Sequence, residues 1–164
     1  MTGSAVRTPR ASPESESVVD ILDRADRAVD AVLTPVTSKE GLSREAWRVL
    51  LLLSRGGGRS MGEIAEHAAI PNPTATRVVD RLVSQQLAYR RNDTNDRRRV
   101  LVHLAAGGRQ TVERVSQQLE DLVESAITLL SATESEVATL LTELTDSLDQ
   151  VLEDEAAAGE QSQS

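Results

Sequence analysis

Residues 72–82 read Asn-Pro-Thr-Ala-Thr-Arg-Val-Val-Asp-Arg-Leu, and this stretch decides the fold. Ala75, Val78, Val79 and Leu82 recur at i, i+3, i+4 and i+7, which makes one apolar face of a helix. Thr74, Arg77 and Arg81 make the opposite face, at i, i+3 and i+7. Asn72 is expected to cap this helix and Pro73 to sit in its first turn, where a missing N–H costs nothing. The back of such a helix docks on a core. Its front offers hydroxyls and guanidinium groups suited to the edge of a DNA groove.

Upstream, Ile70-Pro71 leaves room only for a tight turn before another short helix. Ser60 and Glu63 mark the start of that helix as a capping box, and Met61, Ile64, Ala65 and Ala68 share one face. Two helices joined this way form a helix-turn-helix whose second member is presented outward. Gly56-Gly57-Gly58 breaks the chain before it, and Ser43 opens an earlier helix, Arg44 to Ser54, expected to bury Trp47, Leu50 and Leu51. Beyond Gln86 the apolar period changes from helical to alternating. Leu87–Arg91 and Arg99–Leu104 read as two strands, with the polar turn Asn92-Asp93-Thr94-Asn95-Asp96 and the run Arg97-Arg98-Arg99 between them. A hairpin with such a tip, directly after a helix-turn-helix, is a wing.

The outer segments are helical. Ser17 and Asp20 cap a helix with Val18, Leu22, Ala25, Val29, Val32 and Val36 along one seam, and Pro35 and Gly41 mark its end. Gly107-Gly108 precedes a helix to about Leu130, with Val112, Val115, Leu119, Leu122, Ala126 and Leu129 in the same spacing. Thr133 and Glu136 open a last helix carrying Val137, Leu141, Leu144, Leu148 and Val151. These heptad-like seams are served either by packing within the chain or by a helical dimerisation domain, since the first and last helices lie far apart and each needs a partner. The expected class is mainly α (α+β): a winged helix-turn-helix with a two-stranded wing over residues 43–104, and dimerisation helices over 17–42 and 105–155. The polar segments 1–16 and 156–164 are expected to be disordered tails.

Composition agrees. Trp47 and Tyr89 are the only aromatic residues and cysteine is absent, so the core must be aliphatic, and disulfides and thiolate chemistry are excluded. The longest apolar run, Val49 to Leu53, is too short to span a membrane and the N-terminus has no signal-like stretch, so a cytoplasmic protein is expected. Taken as a single number, the formal net charge of −8 disfavours nucleic acid, but the distribution of charge along the chain points the other way. Residues 43–104 carry eleven arginines against six acids, a net of +5, while residues 105–164 carry two arginines against thirteen acids. Steering depends on local potential, so the middle of the chain is the part fitted to phosphates.

The sequence resembles the MarR family of winged helix-turn-helix regulators from about Val18 to Glu153. The resemblance is carried by Leu42-Ser43-x-x-x-Trp47-x-Val49-Leu50, Glu63-Ile64-Ala65, Thr76-Arg77-x-Val79-Asp80-Arg81-Leu82-Val83, Asp93-x-x-Asp96-x-Arg98, Val100-Leu101-Val102-x-Leu104 and Gly108. It implies a homodimer whose recognition helices enter successive major grooves of a pseudo-palindromic operator. Thr76 and Arg77 then fall where the family reaches base edges and phosphates. Asp96 and Arg98 fall on the wing motif, in which the Arg enters the minor groove and the Asp holds the wing in shape. Two positions depart from the pattern. Gln86 replaces a Gly at the end of the recognition helix, which implies strain if that backbone is left-handed, and Ala105 replaces a capping Thr.

The residues proposed to meet double-stranded DNA are Asn72, Thr74, Thr76, Arg77 and Arg81 on the helix and Asp96, Arg97, Arg98 and Arg99 on the wing. Ser43, Ser60 and Arg90 are candidate phosphate contacts. A surface salt bridge is the competing role for Arg81, and one of the three consecutive arginines is expected to point away from DNA. The family also binds small aromatic or phenolic effectors between dimer helices and winged domain. Trp47 and Arg48 are candidates for lining such a cavity, although ordinary packing is the stronger reading for both. His67 and His103 sit in no ligand cluster, so no metal is expected. No nucleophile with a base and no phosphate-binding Gly-Lys-Ser/Thr motif appears, so neither catalysis nor a cofactor is expected. The leading reading is a ligand-responsive repressor. A winged-helix protein-interaction module without DNA binding is the alternative.

Overall fold

The computed structural model describes residues 17–94, 96, 98–130 and 133–161. Its elements run α1 (Val18–Lys39), α2 (Arg44–Ser54), α3 (Met61–Ala68), α4 (Asn72–Ser84), β1 (Ala88–Asn92), β2 (Val100–Leu104), α5 (Ala106–Leu130) and α6 (Glu134–Gln161). The chain divides into two compact units, with the boundary inside α5 between Val115 and Ser116. The segments 1–16 and 162–164, placed by the sequence in terminal tails, lie outside the described residues.

In the first unit the starts of α1, α2 and α3 are fixed as their sequences require. Ser17 and Ser60 each accept the backbone N–H three residues on, while Asp20 and Glu63 accept in turn from the cap backbone. Ser43 accepts from the Ala46 N–H. Each such cap satisfies amide donors that the first turn leaves orphaned. The core is aliphatic, with Val49, Leu50, Ile64, Val79, Leu82, Val102 and Val115 fully buried. Helix α2 lies at its centre and touches α1, α3, α4 and β2. That position explains a correction to the expected burial: Leu52 and Leu53 join Trp47 and Leu50 inside, whereas Leu51 is only half-buried. A helix packed on several sides buries more than one stripe.

The recognition segment starts differently from expectation. Asn72 does not cap α4; Pro71, in extended conformation, is the cap and offers no side-chain bond, and Asn72 is already helical. The Pro71 carbonyl accepts from both Thr74 and Ala75, so the helix closes one residue early, with Pro73 still in the first turn where its lack of an N–H is harmless. Helices α3 and α4 both end through left-handed non-glycine residues, Ala69 (φ 53°) and Gln86 (φ 59°). At each end the amide beyond the left-handed residue reaches back over the last turn: Ile70 to the Ala65 carbonyl and Leu87 to the Leu82 carbonyl.

Strands β1 and β2 pair antiparallel, Ala88 with Leu104 through Asn92 with Val100; β1 lies one residue later than expected, and β2 starts one residue later but ends as expected. Arg59 adds a one-residue third rung, its N–H donating to the Val102 carbonyl and its carbonyl accepting from the Val102 N–H. Gly58 makes this approach feasible, since a Cβ there would come within 2.6 Å of the His103 ring. Gly107-Gly108, expected ahead of α5, lie inside its first turn. Gly108 is required there because a Cβ would collide with the Leu87 carbonyl.

In the second unit, α6 opens on the expected Thr133–Glu136 cap. It continues to Gln161, past the point where a polar tail was expected. Ala156, Ala157, Ala158, Glu160 and Gln161 are good helix formers, so the backbone extends the helix through one glycine. Leu141, Leu144, Leu148 and Val151 of its seam are exposed.

Candidate nucleic-acid interface

Helix α4 buries Ala75, Val79 and Leu82, and this docking leaves the opposite face outward. Thr76 and Arg77 are exposed on that face and Thr74 is half-exposed. The Thr76 hydroxyl donates to the Asn72 carbonyl at 3.0 Å, a bond that restrains the side chain of this exposed residue. Asn72 is exposed at the mouth of the helix, with its carbonyl engaged in that bond rather than its side chain in a cap.

The wing tip is built around Asp96. Its carboxylate accepts from the Arg98 N–H at 2.9 Å, and its carbonyl accepts from the Arg99 N–H at 2.9 Å. The Asp93 N–H in turn donates to the Arg99 carbonyl. Asp96 therefore shapes the turn through the backbone, and the Arg98 and Arg99 side chains stand exposed beside it. Arg97 lies outside the described residues.

Other arginines are used for structure. Arg81 reaches from α4 to the Gly41 carbonyl at 3.2 Å, so its partner is neither an acid nor open solvent. Arg90, read as a phosphate contact, pairs with Asp80 at 2.7 Å and ties β1 to α4. Arg44, at the first turn of α2, bridges Asp26 at 2.7 Å and Asp30 at 2.6 Å on α1. Arg59 lies 3.6 Å from Glu63. Arg114 on α5 grips Glu40 with two bonds, 3.1 and 2.8 Å. No local pattern signals this last pair, whose members are 74 positions apart.

The candidate phosphate hydroxyls are also committed. Ser43 caps α2, and the Ser60 hydroxyl donates to Glu63 at 2.6 Å. That bond and the Ser60 backbone N–H hold the Glu63 carboxyl below its ordinary pKa, and bonding from Ser43 does the same for Glu45. The candidate cavity residues are packed: Trp47 is buried, and Arg48 donates to the Ala68 carbonyl at the end of α3. His67 is pushed down by burial and by the positive charge of Arg55, Arg48 and Arg59, so its imidazole is neutral near pH 7. Among the described residues no group of three or more His, Cys, Asp or Glu is placed to hold a metal ion, and no helix is long and apolar enough to cross a membrane.

Comparison with known proteins gives consistent results. A MarR family model matches residues 40–99. The chain is 26% identical to the HTH-type transcriptional regulator FarR of Neisseria gonorrhoeae over 100 residues, 61% of this chain and 68% of that one. Its fold matches the crystal structure of NadR in complex with 4-hydroxyphenylacetate with a TM-score of 0.70 and 25% identity, over 86% of this chain and 97% of that one. It also matches the transcriptional repressor CouR bound to a 23-mer DNA duplex, with a TM-score of 0.69 and 26% identity over 86% and 99% of the two chains.

Proposed function

We propose that the chain is a MarR-family winged-helix DNA-binding regulator and acts as a homodimeric, effector-responsive repressor on a pseudo-palindromic operator, a reading supported by the family model and by the similar regulators. The observation that carries this reading is the exposed front of α4 beside the wing. Thr76 and Arg77 stand outward on a helix whose back is buried, and Asp96 presents Arg98 from the neighbouring hairpin. Arg77 suits guanine O6/N7 or a phosphate, and Thr74 and Thr76 suit a phosphate or a thymine methyl. Arg98 suits a narrow minor groove, whose negative potential is enhanced.

Dimerisation is supported by the apolar seams. Val18, Leu22, Val29 and Val32 of α1 recur at heptad-like spacing and are each at least 39% exposed. A second copy is the occupant that matches the two-fold symmetry of a pseudo-palindrome. Effector control is supported by the relative whose structure holds 4-hydroxyphenylacetate, and an aromatic acid of that kind is the proposed ligand class. Such a ligand acts only by binding more tightly to a dimer with altered recognition-helix spacing.

The test is selection of DNA from a random pool, followed by binding measurements across a salt series. Recovery of an inverted repeat, with affinity falling steeply as salt rises, is expected. The Arg77→Ala change should weaken binding to that repeat by roughly tenfold or more, corresponding to the loss of one good base or phosphate contact. Binding that ignores both sequence and this change sinks the proposal.

A further inference from the structure

Residues at the Glu40–Gly41 corner join three elements that are distant in sequence. Helix α1 ends there: Gly41 has φ +69°, and the Leu42 N–H reaches back to the Thr37 carbonyl at 3.0 Å. The side chain of Glu40 is gripped by Arg114 of α5 through two parallel bonds, at 3.1 and 2.8 Å, a fork that fixes direction as well as distance. The very next carbonyl, that of Gly41, accepts from Arg81 of α4 at 3.2 Å. This acceptor lies at the C-terminal end of α1, where the helix dipole favours a cation. One residue beyond Ser43, Arg44 pins the start of α2 back onto Asp26 and Asp30. The corner is therefore held on every side, by α5 through Glu40 and by α4 through Gly41.

We propose that the Glu40–Gly41 corner couples α5 to the recognition helix, and that Arg81 is a positioning residue acting through Gly41 rather than a contact to DNA. The inference rests on the DNA-binding reading above and adds to it the route by which a shift of α5 reaches α4. Arg81 shares the outward face of α4 with Arg77, but its guanidinium is drawn back to the corner. Loss of the Arg114–Glu40 fork frees the Glu40 side chain, lets the corner move, and with it the Gly41 carbonyl on which Arg81 rests. The orientation of Thr76 and Arg77 then varies, although neither has changed.

A double-mutant cycle on full-length protein tests this, using the DNA fragment that the wild type selects. Arg81→Gln and Arg114→Gln are each expected to lower affinity about fivefold, and the double variant to lose scarcely more than either alone, because both act on one corner. The salt dependence of binding should be unchanged in Arg81→Gln, and Arg81→Lys should restore most of the affinity, since an ammonium still donates to the Gly41 carbonyl. Losses that multiply, or a salt slope reduced by about one phosphate contact in Arg81→Gln, overturn the proposal. Hydrogen exchange of the free protein separates this outcome from failure of the DNA-binding reading. Arg114→Gln should speed exchange of the α4 amides over residues 76–84 even if no DNA fragment is selected, and unaltered exchange there sinks the coupling.

Discussion

Single backbone positions show where this sequence strains against its fold. Ala69 and Gln86 hold left-handed conformations at the ends of α3 and α4, where a Cβ is disfavoured and glycine is not. Both are exposed, so a substitution acts on the backbone rather than on packing. Ala69→Gly and Gln86→Gly are each expected to stabilise the protein by about 0.5–1 kcal/mol, read as a rise in the denaturant midpoint at unchanged slope. The opposite holds at Gly108, where a Cβ would meet the Leu87 carbonyl while that oxygen accepts from the Ala105 N–H. Gly108→Ala should cost about 1–3 kcal/mol by overpacking and lower the melting temperature accordingly. Gln86 was legible as a problem only through the family resemblance, which implies a glycine at that position. Ala69 was not, since nothing in Ala-Ala-Ile-Pro announces a left-handed turn.

Elements are held to one another by charged groups whose protonation matters. Glu40 is held below its ordinary pKa of 4.5 by the bonds from Arg114, and Glu63 by the Ser60 hydroxyl and amide. A carboxyl with a depressed native pKa contributes stability above its unfolded pKa and loses it as pH falls through the native one, because the unfolded chain binds more protons in that window. His67, also pushed down from 6.5, binds its proton more readily in the unfolded chain, so it too favours the fold less as pH falls. Stability is therefore expected to decline first on acidification below pH 6.5 and again below pH 4.5. Equilibrium unfolding of His67→Gln and Glu40→Gln should show the upper and the lower step flattened, respectively. The wing offers a second case. Asp96→Ala removes the acceptor for the Arg98 N–H, and hydrogen exchange at Arg98 should quicken while the remainder of the winged domain keeps its protection.

At the level of the whole molecule, charge and apolar surface are segregated along the chain. A basic stretch from 43 to 104 lies between acidic flanks, so added salt should weaken DNA binding far more than it weakens the fold. The seam of α1 gives a matching test of assembly. Val29→Asp with Val32→Asp places charge on an apolar stripe that is already exposed, so the monomer should keep its fold while sedimentation shows loss of the dimer. A variant pair that leaves the sedimentation coefficient unchanged removes α1 from the proposed interface. The sequence by itself determined the helices, the helix-turn-helix, the wing and the polar front of α4, because periodicity, caps and turn residues are local and act within a few positions. Tertiary structure alone decided which arginines are spent within the fold. Arg44, Arg81, Arg90 and Arg114 find their partners 10 to 74 positions away. All arginines look alike in the sequence, and only the packing of distant elements sets which guanidinium meets an acid or a carbonyl and which is left facing outward.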